Sequence, residues 1–393
     1  MKNTALFLLL MVSSFTTAFA QEIDKTLPEF SFNELELAGQ MHFPASDFLE
    51  GRRTGSRGNV IAGQYIAAQL RAFGYAPING DSYLQPVPLM KTAAPSTGKL
   101  MVDDMGFTQM GDLLIMRGPE ASVEGSVVFA NYGWVDAETE HNDYENINVR
   151  GKIVITRAGI PGDVSQAGVF KGVREKAKMA AEAGAVAIFE RSALPFRWGS
   201  FKGYLGSERM GLDSGSESAT IPYGFVKVQD DFVARLTKKK KGLKGSMASS
   251  GMLIERMSSF NVGGVLEGTD PELKDEYMIV TAHFDHVGVG KQGGGAFTEQ
   301  DSIFNGARDN AFGTISLLAS ARAFAERPTR RPVITLAVTG EEMGLLGSQW
   351  YAENPLIPLA QTISNFTTDV VDYDDLTRLH LIGSHRPGLY PPL

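Results

Sequence analysis

His283, Asp285, Asp309, Glu341, Glu342 and Asp369 are the residues of this chain whose types and order could do chemistry. Each falls at the carboxyl end of an apolar run or in the loop behind it. His283 and Asp285 follow "YMIVTA", Asp309 opens a helical stretch, Glu341 and Glu342 follow "PVITLAVTG", and Asp369 follows "TISNFTT". In an open α/β sheet those strand ends face one crevice. Carboxylates gathered there cannot all ionise near neutral pH without a cation among them. One imidazole with several carboxylates suits zinc, with cobalt or manganese as alternatives. The chain has no cysteine. Any metal is therefore held by nitrogen and oxygen, and thiolate zinc sites, iron–sulfur clusters and cysteine nucleophiles are excluded.

The spacings suggest a division of roles. His283 and Asp285 stand two apart on an extended run, so both side chains point the same way. Asp285 then reaches the imidazole from behind and fixes its tautomer. His286 falls out of that alternation and reads as structural. Of the neighbours Glu341 and Glu342, one ligates and the other stays free as a base. Each residue alone has a plainer reading: Asp309 as a helix N-cap, His283 as a satisfied buried histidine. The functional reading rests on the set. "GVGKQG", Gly288 to Gly293, fits G-x-G-x-x-G but opens no helix, so a dinucleotide site is rejected.

These residues must be positioned by a scaffold. From about residue 260 to 380, apolar runs alternate with helical stretches, a βαβα pattern that implies an α/β fold. The expected architecture is a mostly parallel mixed sheet with helices on both faces. Residues 30–85 read as helical and turn-rich. "NVIAGQYIAAQLRAFGY" puts Ile61, Tyr65, Ile66 and Leu70 on one apolar face with Gly74 as a stop. Residues 95–255 have a different texture: short strands, a helix over "GVREKAKMAAEAGA", a loop over "GYLGSERMGLDSGSESAT" and a solvated basic run "TKKKKGLKG". The expected boundaries are 1–20 signal peptide, 21–94 first part of the main domain, 95–255 inserted β-rich α+β domain, and 256–393 the rest of the main domain.

With 393 residues and a net charge of −8, the chain has a large core and no basic excess for nucleic acid. Lys2, the apolar "ALFLLLMV" and the small residues Ala18 to Ala20 read as a signal peptide cut after Ala20. An uncleaved anchor is the weaker reading, because polar "QEIDK" follows at once. The expectation is a secreted or periplasmic protein with no membrane attachment after cleavage.

"AHFDHVGVG", "NGARDNAFG", "TGEEMGLLGS" and "NFTTD" resemble the four successive signatures of the co-catalytic zinc aminopeptidases, a superfamily that includes the glutamate carboxypeptidase II-like enzymes. "DFLEGRRTGSRGN" resembles the segment that opens secreted members. "VRGKIVITR" and "KMAAEAGAVAIF" resemble their inserted protease-associated domain. The resemblance covers nearly all of the chain after residue 20 and implies the zinc exopeptidase fold. It implies two zinc ions bridged by Asp309, one held also by His283 and Asp369, the other by Glu342. Glu341 would be the general base and Asp285 the support of His283. Substrates would be peptides with a free N-terminus. Arg308 and Phe312 depart from the family pattern at the rim. Family members also carry a last histidine ligand several tens of residues beyond the position of Asp369, whereas here 24 residues follow it. His380 and His385 lack the surrounding pattern, so the domain is expected to be incomplete and the second metal site impaired. A non-catalytic peptide- or protein-binding relative, a carboxypeptidase and a glutaminyl cyclase stand as alternatives.

Overall fold

A computed structural model describes residues 32–192, 197–213, 215, 220–239, 242–293 and 297–370. The signal-like segment, His380 and His385 lie outside the described residues.

The main sheet runs in the order Arg209–Leu212, Leu84–Ala93, Leu253–Leu266, Val333–Val338, Tyr277–His283, Thr362–Thr367, with Ala76–Pro77 paired to Leu253–Leu266 off this path. Val333–Val338 and Thr362–Thr367 flank Tyr277–His283 in parallel. The other pairings are antiparallel. The expectation of a mostly parallel sheet is thus corrected: only the three strands that lead to the acids are parallel. The cause is Leu253–Leu266, a 14-residue strand that runs against all three strands it pairs with. Its partner "LQPVPLMKTA" does not read as a strand, because Pro86 and Pro88 each remove a ladder donor. Cross-strand pairing overrides that local signal.

Val333–Val338 is buried at all six positions, as a strand covered on both faces must be. Val333 and Ala337 meet Ile66 and Leu70 of helix Arg57–Ala72 and Ile315 and Leu318 of helix Phe312–Glu326. Ile334, Leu336 and Val338 turn the other way, onto Ile279 and Tyr351 of helix Leu346–Glu353. Helix Arg57–Ala72 starts where the Ser56 hydroxyl accepts the Asn59 N–H, and the chain leaves it at Gly74. Among the described residues, no helix is long and apolar enough to cross a membrane.

Residues 98–249 supply a second, eight-stranded sheet. Helices Gln166–Glu182 and Trp198–Gly206 pack on one face and Asp230–Lys238 on the other. The stretch 203–220, expected as loop, is corrected in part. Residues up to Gly206 finish a helix that buries Phe201 and Leu205, and Arg209–Leu212 adds to the edge of the main sheet against Leu89–Thr92. The basic run from Thr237 likewise ends a helix at Lys238, and a strand begins at Leu243.

Candidate metal centre

Three parallel strands deliver the site. His283 is in register with Val338, so the segments 284–286 and 339–342 leave the sheet side by side. Thr281 pairs with Thr367 and its carbonyl accepts the Thr368 N–H at 2.9 Å, which brings Asp369 to the same edge. Asp309 comes from the turn before helix Phe312–Glu326, which is tied down on both sides. Thr314 donates to the carbonyl of His283 at 3.0 Å, and Asn310 to that of Thr368 at 3.2 Å. Asp309 itself is extended (φ −118°, ψ 96°), and the helix behind it has no side-chain cap. The N-cap reading of Asp309 therefore fails, and its carboxylate is free for the crevice.

His283 Nε2 lies 3.3 Å from Asp309 Oδ1 and 3.4 Å from Asp369 Oδ1. Zinc held tetrahedrally by bonds of about 2.0–2.1 Å has ligand–ligand edges of roughly 3.3–3.4 Å. The two edges from the imidazole thus already have the length expected of such a site, and all three atoms lie within 4.8 Å of one another. Glu341 Oε2 is farther from the imidazole, at 4.0 Å, beside this triangle rather than in it. A second group shares Asp309 and adds His286 and Glu342. Here His286 Nδ1 and Glu342 Oε1 are 2.5 Å apart, a direct hydrogen bond. A metal that took both atoms would have to open that bond.

The donors are nitrogen and oxygen only, the two edges from His283 in the first group have the right length, and the acids of the crevice strain against one another. Burial, then the charge of Glu342, pushes the Asp309 carboxyl above its ordinary range, against the pull of His283 and His286. Burial does the same to Glu341, opposed by His283. Burial of His283 disfavours its imidazolium, yet contact with Asp285 and the charges of Asp285, Glu341 and Asp369 outweigh it and raise the ring to about 9. A divalent cation resolves this crowding, so the residues fit a zinc-type centre.

Asp285 is fully buried and supports the site differently from the expectation. The acceptor nearest to His283 Nδ1 is the backbone carbonyl of Asp285, at 3.2 Å. Its carboxylate stands 3.7 Å away and instead accepts Thr54 Oγ1 at 2.9 Å and the Glu341 N–H at 3.2 Å. With Nδ1 turned to a carbonyl, Nε2 is the ring atom presented to the carboxylates.

Sequence reasoning left three contributors out. His286 was read as structural by strand alternation, but the strand ends at His283 and the chain then turns, with the His286 N–H donating to the Arg52 carbonyl at 3.3 Å. The signal that could have found it is Gly306. That glycine is left-handed (φ +58°), and a Cβ there would sit 2.6 Å from the His286 ring. Thr54 is the second. Arg52 is the third: buried to 1 % exposure, it donates to the carbonyls of Phe284 (2.9 Å), Asn305 (2.7 Å), Gly306 (2.9 Å) and Pro44. It thereby clamps the strand end that bears His283 to the loop that bears Asp309. At the rim, Phe312 is 39 % exposed.

Residues 261–387 match the model of peptidase family M28, a stretch that includes all six residues named at the outset. Part of the chain is 31% identical over 112 residues to a vacuolar membrane protease of Saccharomyces cerevisiae, covering 28% of this chain and 10% of that protein. A vacuolar membrane protease of Lachancea thermotolerans is 26% identical over 142 residues, 36% of this chain and 13% of the other. The matched segments thus span about a tenth of these relatives. Among solved structures, an aminopeptidase from Aneurinibacillus sp. strain AM-1 superposes with a TM-score of 0.51 at 21% identity, over 86% of this chain and 71% of that one. The two share a fold. A zinc aminopeptidase from Bacillus subtilis gives a TM-score of 0.43 at 19% identity, over 88% and 71% of the two chains. The expectation of a secreted or periplasmic protein is overturned by the relatives named for the vacuolar membrane. An N-terminal apolar run directs a chain to an export route, but it does not encode the compartment at the end of that route.

Proposed function

We propose that this chain is an M28-type metallo-exopeptidase that removes N-terminal residues from peptides in a membrane-associated setting. The observation that carries the reading is the triangle of His283 Nε2, Asp309 Oδ1 and Asp369 Oδ1 at 3.3 and 3.4 Å. Those three residues would hold one metal ion. Asp309, Glu342 and His286 would hold a second, once the His286–Glu342 hydrogen bond opens. Bound there, divalent cations supply Lewis acidity: they make water nucleophilic near neutral pH and polarise the scissile carbonyl.

The chain's own residues do the rest. Glu341 is held through its N–H by Asp285, while its carboxylate reaches into the crevice. With its carboxyl raised by burial, it is suited to take the proton of the attacking water and pass it to the departing amine. The surplus of carboxylates over cations at the crevice is the feature that would attract the α-ammonium of a peptide. Residues 98–249 would be the protease-associated domain that the sequence resembles.

The 2.5 Å bond between His286 and Glu342 favours a second reading. In it Glu342 stays with His286 and does not ligate, and the protein holds one metal or binds peptide without cutting it. Two measurements separate the readings. Hydrolysis of leucine p-nitroanilide, with its N-acetylated form as control, should stop on chelation and return with zinc. Metal analysis of the purified protein should find two ions per chain. Turnover indifferent to a chelator sinks the peptidase reading, and cleavage of the blocked substrate sinks its aminopeptidase form.

A further inference from the structure

Away from the metal centre, a cleft of about 710 Å³ lies between the two sheets. One wall is the edge of the main sheet, through Met90, Thr92 and Arg209. The other is Arg117 and one face of helix Gln166–Glu182. The charged side chains that line it are Arg117, Arg174, Lys178, Arg209 and Glu182, four cations against one carboxylate in a chain of net charge −8.

Arg117 is the residue that demands an account. It is half-buried and lies against the ring of Tyr223, with its guanidinium carbon 5.7 Å from the ring centre. Among the described residues it has no carboxylate within ion-pair distance. The carboxylate behind it is already used. Glu190 accepts the Tyr223 hydroxyl on one oxygen and Lys176 Nζ at 2.7 Å on the other, and all three side chains are fully buried. That inner network is neutral, with one ammonium for one carboxylate, so among the described residues it leaves no carboxylate over for Arg117. Burial lowers its pKa, Tyr223 opposes this, and nearby Arg209 lowers it further. A desolvated cation beside a like charge costs stability unless an anion joins it. The remaining wall is mostly apolar, through Met116, Phe170, Val173, Leu205 and Met252, with Ser207 and Thr220 beside them.

We propose that this cleft binds a small carboxylate with an apolar body, its anionic end on Arg117 and its body along helix Gln166–Glu182. A planar guanidinium takes a carboxylate through two parallel hydrogen bonds, and the volume is that of a small-molecule site. The occupant would touch both sheets, so binding would tie the 98–249 unit to the main sheet. The inference is independent of the peptidase reading and concerns none of its residues.

The test is calorimetry on the full chain in excess chelator, which removes any carboxylate binding at the metal centre. The probe is N-acetyl-Ala-Leu, whose blocked amine and free carboxylate match the cleft, with its C-terminal amide as comparison. The acid should bind one per chain and the amide about ten- to a hundred-fold more weakly, the worth of one charge-assisted contact. Arg117→Met should abolish the difference between acid and amide. It should also melt at the same temperature as the parent or higher, because it removes a half-buried charge that no described carboxylate pairs. His283→Ala should bind as the parent does. Equal binding of acid and amide, an undiminished preference in Arg117→Met, or loss of binding in His283→Ala would each overturn the proposal. If Arg117→Met unfolds, Arg117→Lys is the substitute: its ammonium cannot fork onto a carboxylate, so the acid preference should fall about ten-fold, and full retention is again fatal.

Discussion

Replacing Arg52 by methionine should loosen the metal centre without touching a single proposed ligand. Four carbonyls converge on this guanidinium: Phe284 at 2.9 Å, Asn305 at 2.7 Å, Gly306 at 2.9 Å and Pro44. Burial lowers the Arg52 pKa to about 10, against the pull of Asp285, Asp309 and Glu342, so it keeps its charge at neutral pH. Each carbonyl left dry costs about 1–3 kcal/mol. Two effects cut the sum: methionine spares the cost of burying a charge, and the carbonyls of Asn305 and Gly306 lie near enough to solvent to take up water. The net loss should be about 3–5 kcal/mol. Urea unfolding in chelator reads it free of any metal contribution. Amide exchange reads where it falls, since peptides covering 284–287 and 303–311 should lose protection while those in 121–157 should not. Arg52→Lys, with three donors on a flexible stem in place of a planar fork, should recover about half. A methionine variant within about 1 kcal/mol of the parent, or a lysine variant equal to it, would show that the clamp is not what holds the two loops together.

Glu341→Gln should keep its metal and lose turnover by about 10²–10⁴-fold, read by metal analysis beside leucine p-nitroanilide kinetics. His283→Ala should lose the metal of the first group, whereas His286→Ala should lose one ion of two. Unchanged stoichiometry in His286→Ala would remove that residue from the second group. Glu190→Gln should destabilise the 98–249 unit by about 3–5 kcal/mol, because it leaves the fully buried Lys176 ammonium uncompensated. Glu190→Gln with Lys176→Met should regain most of that loss in urea unfolding.

The portion of this fold that can be read from sequence is the portion with a strong local signature. "PVITLAVT" and "YMIVTA" are continuous apolar runs because both faces of their strands are covered, and acids placed just past them are delivered to one edge by topology alone. The meeting of His283, Asp309 and Asp369 at one edge is legible for that reason. The antiparallel half was not. Leu84–Ala93 and Arg209–Leu212 are strands only because Leu253–Leu266 and each other supply the pairing, and two prolines and a glycine-rich context hide them.

At the site the limit has a different cause. Alternation predicts side-chain direction only while the chain stays extended, and past His283 it does not, so the rule that places Asp285 behind the imidazole does not reach His286, whose ring meets Glu342. Arg52 was invisible for a further reason. Its partners are backbone carbonyls, three of them more than 230 residues away in sequence, and a carbonyl carries no residue type that a spacing argument could detect. Histidines and acids announce a metal centre through their chemistry. The cation that sets the distance between the loops bearing them does not, because every residue offers a carbonyl and only the fold decides which four meet. The 3.3 Å from His283 to Asp309 is thus a property of the Arg52 clamp as much as of either ligand, and this is why the clamp variant, rather than a ligand variant, tests how the site is built.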